Sequence, residues 1–285
     1  NCTGIQEIRL NGKLKLQIGD TCFSGVKNLK TLELSGNVTK IGKLSFAKCY
    51  LIENLEFKFI KVFFGEKAFD GCSSIKSITI KAQTEFHAGP NCFSNLANLN
   101  EVNITSENVI IDDSCFSCCS SLNSVSLLDA EKVTFGAKAF ESCNSIIKFE
   151  LNILNELNAG PNCFSNSTKL NEVEITCKNI TVDDSCFSCC SSLNSISFLN
   201  SEQVNLGSKT FEYCNNIMSF ELEELNEFHA GPNCFSNLTS LNKVQITSKK
   251  VTIDDSCFSC CSSLKSFTLL KAHQIDLGEK ILEYC

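Results

Sequence analysis

The chain has 285 residues, 43% of them hydrophobic, and a formal net charge of −7. A core can form, but Arg9 is the only arginine, and the clustered positive charge that nucleic acid or anionic lipid requires is missing. No apolar run approaches the roughly 18 residues of a membrane-spanning helix, so no transmembrane segment is expected within the chain.

Self-similarity organises everything that follows. Cys2, Ile5, Ile8 and Leu10 form a partial first turn, so Asn1 already lies inside the pattern and no signal peptide is expected within it. A phenylalanine after a small residue or cysteine then recurs at Phe23, Phe46, Phe69, Phe93, Phe116, Phe140, Phe164, Phe187, Phe211, Phe235 and Phe258, and Leu282 continues the series. The spacing is 23 or 24 residues. Apolar residues follow each anchor six, nine and eleven places on, as at Leu122, Val125 and Leu127 after Phe116. Another precedes the next anchor by about five, as at Ile41, Phe64 and Ile111.

A longer period lies on top. Phe69, Phe140, Phe211 and Leu282 are each 71 apart, giving super-repeats at about 70–140, 141–211 and 212–282. The block DDSCFSCCSSL occurs identically from Asp112, Asp183 and Asp254, and AGPNCFSN from Ala88, Ala159 and Ala230. Cys285 ends the chain three places after an anchor. Neither end has the polar cap that repeat arrays carry, so residues 1–285 read as one solenoid cut from a longer array, or as its ordered part.

Period-2 alternation such as Val125-Ser126-Leu127 predicts a strand with its apolar residues facing in. Phe140-Glu141-Ser142-Cys143 reads as a short helical turn, and Val109-Ile110-Ile111 as a short strand on the opposite wall. One such turn cannot bury its apolar face alone; stacked turns can. The expected fold is an α/β repeat solenoid: a leucine-rich-repeat horseshoe of about twelve turns, with parallel strands on one wall and short helical turns and short strands on the other.

The strand motif Leu-x-x-Ile-x-Leu, followed by Ile and then Ala-Phe-x-x-Cys, resembles the BspA-like (treponemal-type) leucine-rich repeats. KAFDGCSSIKSITI from Lys67 to Ile80 and SCFSCCSSLNSVSL from Ser114 to Leu127 carry the resemblance best, and it covers the whole chain. Repeats of this family often have a proline just after the strand, which is absent here. The resemblance implies a surface antigen of the kind found in some anaerobic bacteria and parasitic protists. Family members with assigned roles bind host matrix, host cells or other microbes.

The 20 cysteines invite disulfide or metal readings. Nine lie three after an anchor position (Cys2, Cys49, Cys72, Cys119, Cys143, Cys190, Cys214, Cys261, Cys285), and seven directly before one (Cys22, Cys92, Cys115, Cys163, Cys186, Cys234, Cys257). Ala or Ser replaces them elsewhere, which marks small-residue packing sites, and a reduced buried ladder is the first reading. Rungs about 5 Å apart also fit the Cα window of a disulfide. Zinc is disfavoured, because the Cys-x-x-Cys-Cys runs from Cys115, Cys186 and Cys257 have no second pair or histidine in their turns. Cys118, Cys189 and Cys260 read as exposed thiols, and Cys177 falls outside every ladder.

Catalytic chemistry has little to work with. His87 and His229 are equivalent, and Asn158 takes their place in the intervening copy. No nucleophile–base–orienter set, metalloprotease motif or phosphate loop occurs, so no enzyme, cofactor or metal is expected. The paired aspartates at Asp112, Asp183 and Asp254 are expected to cap the short helical turn that follows; a weak calcium site would need more ligands. Six Asn-x-Ser/Thr sequons, at Asn1, Asn37, Asn103, Asn166, Asn179 and Asn237, are no more than chance supplies in such a composition.

The best candidate surface is the outward row of the main strands: Glu33, Glu56, Thr79, Asn103, Ser126, Glu150, Glu174, Ser197, Glu221, Gln245 and Thr268. Among these, Glu33, Glu56, Asn103, Glu150, Glu174, Glu221 and Gln245 are the candidate binding residues. The row is polar and acidic, without an aromatic hot spot, and suits a basic or glycan-bearing partner. The expected function is a non-enzymatic binding module at the cell surface or secreted, taking a protein or glycan ligand. The alternative is a cytoplasmic scaffold, to which many reduced thiols would be suited.

Overall fold

A computed structural model describes residues 4–285, so Asn1 and Cys2 lie outside the described residues. The chain divides into two compact units, Asn1–Ser145 and Ile146–Cys285. All strand pairing within each is parallel, as sequential turns of a solenoid require.

In the first unit, four long strands pair in order: β1 (Glu7–Ile18), β2 (Thr31–Ile41), β3 (Asn54–Phe64) and β4 (Ser77–Ala88). Each runs through the corner between two walls. Beyond them the corner breaks the strand in two. On the main wall β4 pairs with β5 (Glu101–Thr105), and β5 with β7 (Ser124–Leu128). On the second wall β4 pairs with β6 (Asn108–Ile111), and β6 with β8 (Lys132–Phe135).

The second unit has the same plan. Its main wall holds β9 (Lys148–Asn152), β11 (Glu172–Thr176) and β13 (Ser195–Leu199) as one three-stranded sheet. Its second wall runs from β10 (Glu156–Ala159) through β12 (Asn179–Val182) and β14 (Gln203–Leu206) into two long strands, β15 (Ser219–Ala230) and β16 (Lys243–Ile253). β16 then pairs with β17 (Ser266–Leu270) on the main wall and β18 (Gln274–Leu277) on the second.

The predicted alternation holds on both walls. In β5 Val102 and Ile104 are buried while Glu101, Asn103 and Thr105 face out. The anchors stack ring on ring, at 5.2–5.4 Å between centroids from Phe23 to Phe140 and 4.8–5.5 Å from Phe164 to Phe258. Planes lie within 24° of parallel, and phenylalanine can supply this contact in every turn because successive rings offset-stack.

The expected short helical turns are absent: no helix occurs among the described residues. The reason is local. In every turn the residues two before and two after the anchor have positive φ, as at Leu44 (53°) and Lys48 (61°) around Phe46. A helix needs consecutive right-handed residues, and left-handed ones break it. These residues instead aim their N–H groups at the next turn: Leu44, Phe46 and Lys48 donate to the carbonyls of Glu66, Ala68 and Asp70 at 3.1, 2.9 and 2.7 Å. The fold is therefore a parallel β-solenoid with a third, hydrogen-bonded side made of turns, not an α/β one. Its Phe-anchored turns, from Phe23 to Phe258, compare with the expected twelve, with Leu282 at the last position.

The cysteine ladder is explained by the same inter-turn bonding. The thiols of Cys72, Cys119, Cys143, Cys190, Cys214 and Cys261 each donate to the carbonyl of the anchor one turn back, at 3.1–3.2 Å. Cys49 and Cys285 do so at 3.5 and 3.0 Å. Sulfur at this position fills a small apolar space and also caps a buried carbonyl. Burial pushes the thiols of Cys119, Cys214 and Cys261 up to about 12. Cys177 lies outside both cysteine ladders but within the 71-residue pattern. It holds the corner position of Ser106 and Ser248, 71 residues to either side, and donates to the Asn179 carbonyl as those serines do to Asn108 and Lys250.

Candidate binding surface

The main wall presents the candidate residues in two rows, one per unit. In the first, Arg9 lies beside Glu33, Glu56 beside Thr79, Thr79 beside Asn103, and Asn103 beside Ser126. In the second, Glu150, Glu174 and Ser197 are neighbours on adjacent strands, and so are Glu221, Gln245 and Thr268. Glu33, Glu56, Glu150 and Glu221 are exposed, while Asn103, Glu174 and Gln245 are half-buried. These side chains share a wall, but they do not converge on one pocket.

The wall is less acidic than the bare sequence implies. Arg9 pairs with Glu33 at 3.2 Å, and Lys243 with Glu221 at 2.7 Å. Lys148 contacts Glu150, Glu172 and Glu174 at 3.1–3.4 Å. The Glu150 carboxylate, ahead of Glu172, holds the Lys148 ammonium in its charged form and raises its pKa. The lysine that neutralises the row comes from outward positions two residues away, which a reading of the central row alone misses.

Apolar members of the wall were also missed. Leu128, Leu199 and Leu270 end equivalent strands and are 55, 43 and 41% exposed. Their signal was in the sequence: each puts a leucine at an outward place directly after an inward Leu127, Phe198 or Leu269.

The aspartate pairs do not cap their own turns. Asp113, Asp184 and Asp255 accept the backbone N–H of Ala137, Ser208 and Glu279 in the next turn at 2.7–2.8 Å, and Asp20 accepts that of Lys43 at 2.9 Å. The residue before each acceptor's donor is glycine for a steric reason. A Cβ on Gly136 or Gly207 would come within 2.6 Å of the aspartate's backbone nitrogen and Oδ1. The first aspartates meet the histidines of the preceding turn: His87 Nε2 lies 2.8 Å from Asp112 Oδ2, and His229 Nε2 lies 3.1 Å from Asp254 Oδ2. Asn158 donates to Glu156 instead. Burial, with help from the Asp184 charge, raises the pKa of Asp183. His87 and His229 each lie within one local pair, and no group of three metal-ligating side chains forms among the described residues. Cys118 is exposed and Cys189 and Cys260 half-buried, while Cys22, expected in the buried ladder, is exposed.

No helix among the described residues is long and apolar enough to cross a membrane. No curated protein matches the chain. Solved structures similar to the chain include two leucine-rich repeat proteins. One is a leucine-rich repeat protein from Bacteroides ovatus ATCC 8483, at 17% identity and a TM-score of 0.45 over 94% of this chain and 84% of that one. The other is a leucine rich cell surface protein from Faecalibacterium prausnitzii A2-165, at 14% identity and a TM-score of 0.28 over 85% and 83%. The family described as BspA type leucine rich repeat region (6 copies) matches residues 1–123, 61–168, 87–217 and 158–285. With its anchors, ladders and parallel strands covered end to end by these matches, the chain belongs to the BspA-type leucine-rich repeat family.

Proposed function

We propose that this chain is a non-enzymatic recognition module, at the cell surface or secreted, that binds a protein or glycan partner on its main strand wall. One observation carries the reading. The anchor block DDSCFSCCSSL is identical in three copies, while the outward central residues of the strands that follow it are Ser126, Ser197 and Thr268, and those of the intervening turns are Glu150 and Glu221 or Asn103, Glu174 and Gln245. Between the 71-residue copies the anchor blocks are unchanged, whereas the wall changes at Asn103, Glu174 and Gln245 and, more conservatively, at Ser126, Ser197 and Thr268, and repeat solenoids bind through such extended surfaces. Family membership supports the surface location. Antibody staining against the 71-residue unit, on intact and then permeabilised cells, tests it: signal on intact cells is expected, and signal only after permeabilisation overturns it.

An intracellular scaffold is the second reading, favoured by the thiols that donate to anchor carbonyls, since this bond requires the reduced form. Counting free thiols in the denatured, unreduced protein separates the two. Extensive bridging favours the exterior, and a full count of thiols favours the cytoplasm.

A further inference from the structure

The main wall of the second unit is split. On it, β9, β11 and β13 pair residue for residue, and so do β15, β16 and β17, but β13 and β15 do not pair. Intact rungs open with one or two donors to a carbonyl of the preceding turn, as Asn194 and Ser195 donate to Asn171 O at 3.0 and 3.3 Å. Met218 and Ser219 make no such bonds to Asn194. The second wall is closed at the same level, since Gln203–Leu206 of β14 pairs with Glu227–Ala230 of β15. The opening is therefore a wedge hinged on that ladder.

Bulk explains the wedge. A single phenylalanine in the inward row of Phe220 is compatible with pairing, since Phe149 and Phe267 hold it at closed rungs; at the split level both facing strands carry one, Phe198 on β13 and Phe220 on β15, and the Phe220 ring packs on anchor Phe235 at 4.6 Å. Phe198 occupies the next inward row of β13. Larger side chains between wall and anchors hold the strands apart. The cleft has a volume of about 570 Å³. Phe198 shows through its floor at 7% exposure and neighbouring Ile196 is 8% exposed, where Val173 and Ile175 of the closed rung show 0 and 1%. Leu199 stands at the rim, and the lining carries three carboxylates, Glu221, Glu223 and Glu224, with no cation. Lys243 and Lys271 reach Glu221 and Glu224 from outside it.

We propose that the cleft between β13 and β15 takes an extended peptide with alternating basic and apolar residues as an added β-strand. This deepens the recognition reading above and rests on it. Two facing strand edges with unused backbone groups recognise an extended chain, and alternation decides its sequence: apolar residues meet Phe198 and Leu199, basic ones meet the glutamates. A strand seated between two others sets them about 9.6 Å apart, so binding opens the wedge further about the β14–β15 ladder. The partly split level between β2 and β3 is a built-in comparison. It retains the Ser35–Lys58 pair, and its lining mixes Lys30 and Lys58 with its glutamates.

The test uses the purified 285-residue protein and a labelled acetyl-Lys-Val-Lys-Val-Lys-Val-Lys amide, read by fluorescence anisotropy and amide hydrogen exchange. Binding is expected to protect Ile196–Phe198 and Met218–Glu221 and to leave β14 unchanged. A peptide N-methylated at alternate residues is expected to bind at least about tenfold more weakly, because it keeps the charge and loses the backbone donors. Glu223→Lys, at an exposed position, is expected to weaken binding, and so is Phe220→Leu, which closes the wedge without touching the glutamates. Equal binding of the N-methylated peptide, protection at β2–β3 instead, or no binding overturns the proposal. Location does not enter this measurement. A cytoplasmic address would overturn the surface reading alone, and failure of strand pairing would overturn the cleft alone.

Discussion

The anchor side and the main wall of the same turns are held together differently. On the anchor side, every contact is shared with the turns on either side: ring on ring, thiol on carbonyl, N–H on the next turn's oxygen. On the main wall, outward side chains meet neighbours through exposed polar contacts such as Lys243–Glu221 and Ser77–Asn54. The first arrangement restricts substitution to small or apolar replacements, such as Ala68 for a ladder cysteine, and the second tolerates more. A repeat can therefore be copied almost unchanged on one side while the other side diversifies.

Substitutions on the two sides should separate sharply. Phe187→Ala removes a ring stacked between Phe164 and Phe211 at 5.2 and 5.5 Å, and should cost about 3–5 kcal/mol in denaturant unfolding. Gly207→Ala places a Cβ 2.6 Å from the backbone nitrogen of Asp184, which cannot move aside as a side-chain end could; a loss of about 1–3 kcal/mol is expected. Cys214→Ala removes a buried sulfur and its bond to the Phe187 carbonyl, for about 1–2 kcal/mol, measured in the same way. A loss as large from any outward glutamate would break the comparison.

Asp183 supplies a smaller effect with a defined pH dependence. Its folded pKa is raised above the reference value of 3.8, so the folded state holds the proton more tightly than the unfolded one. The favourable contribution is complete below about 3.8 and is lost as pH rises through the folded value. Asp183→Asn should therefore raise the melting temperature at pH 7, with the gain vanishing in acid. Asp112→Asn should show no such gain, because Asp112 already meets His87. Least of all, Lys148→Gln should leave the melting temperature unchanged within error, since its ion pairs are solvent-exposed.

The residues show why some of this was legible and some was not. Anchors, alternation and super-repeats are statements about which side chains are apolar, and burial follows them closely: Val102 and Ile104 in, Asn103 out. The candidate row fell on one wall because period-2 geometry puts Glu150 and Glu174 side by side. Its ion pairs and exposed leucines were harder to see, because they lie at flanking outward places such as Lys148 and Leu199. The aspartates were assigned to the wrong partner for a related reason. Capping is usually a local habit of the chain, whereas Asp184 reaches a donor 24 residues on.

By itself the sequence determined the period, the inward faces and the stack of phenylalanines, because apolar spacing alone dictates what must be hidden from water. It could not determine that Lys48, Cys189 or Cys260 would be left-handed. None is glycine, and an isolated chain would avoid that conformation at a cost of about 1 kcal/mol each. The tertiary structure decided it: the next turn offers each of these residues a carbonyl, and the bond exists only when turns stack. The split between β13 and β15 is of the same kind, since Phe198 and Phe220 come to lie on facing strands only when turns stack.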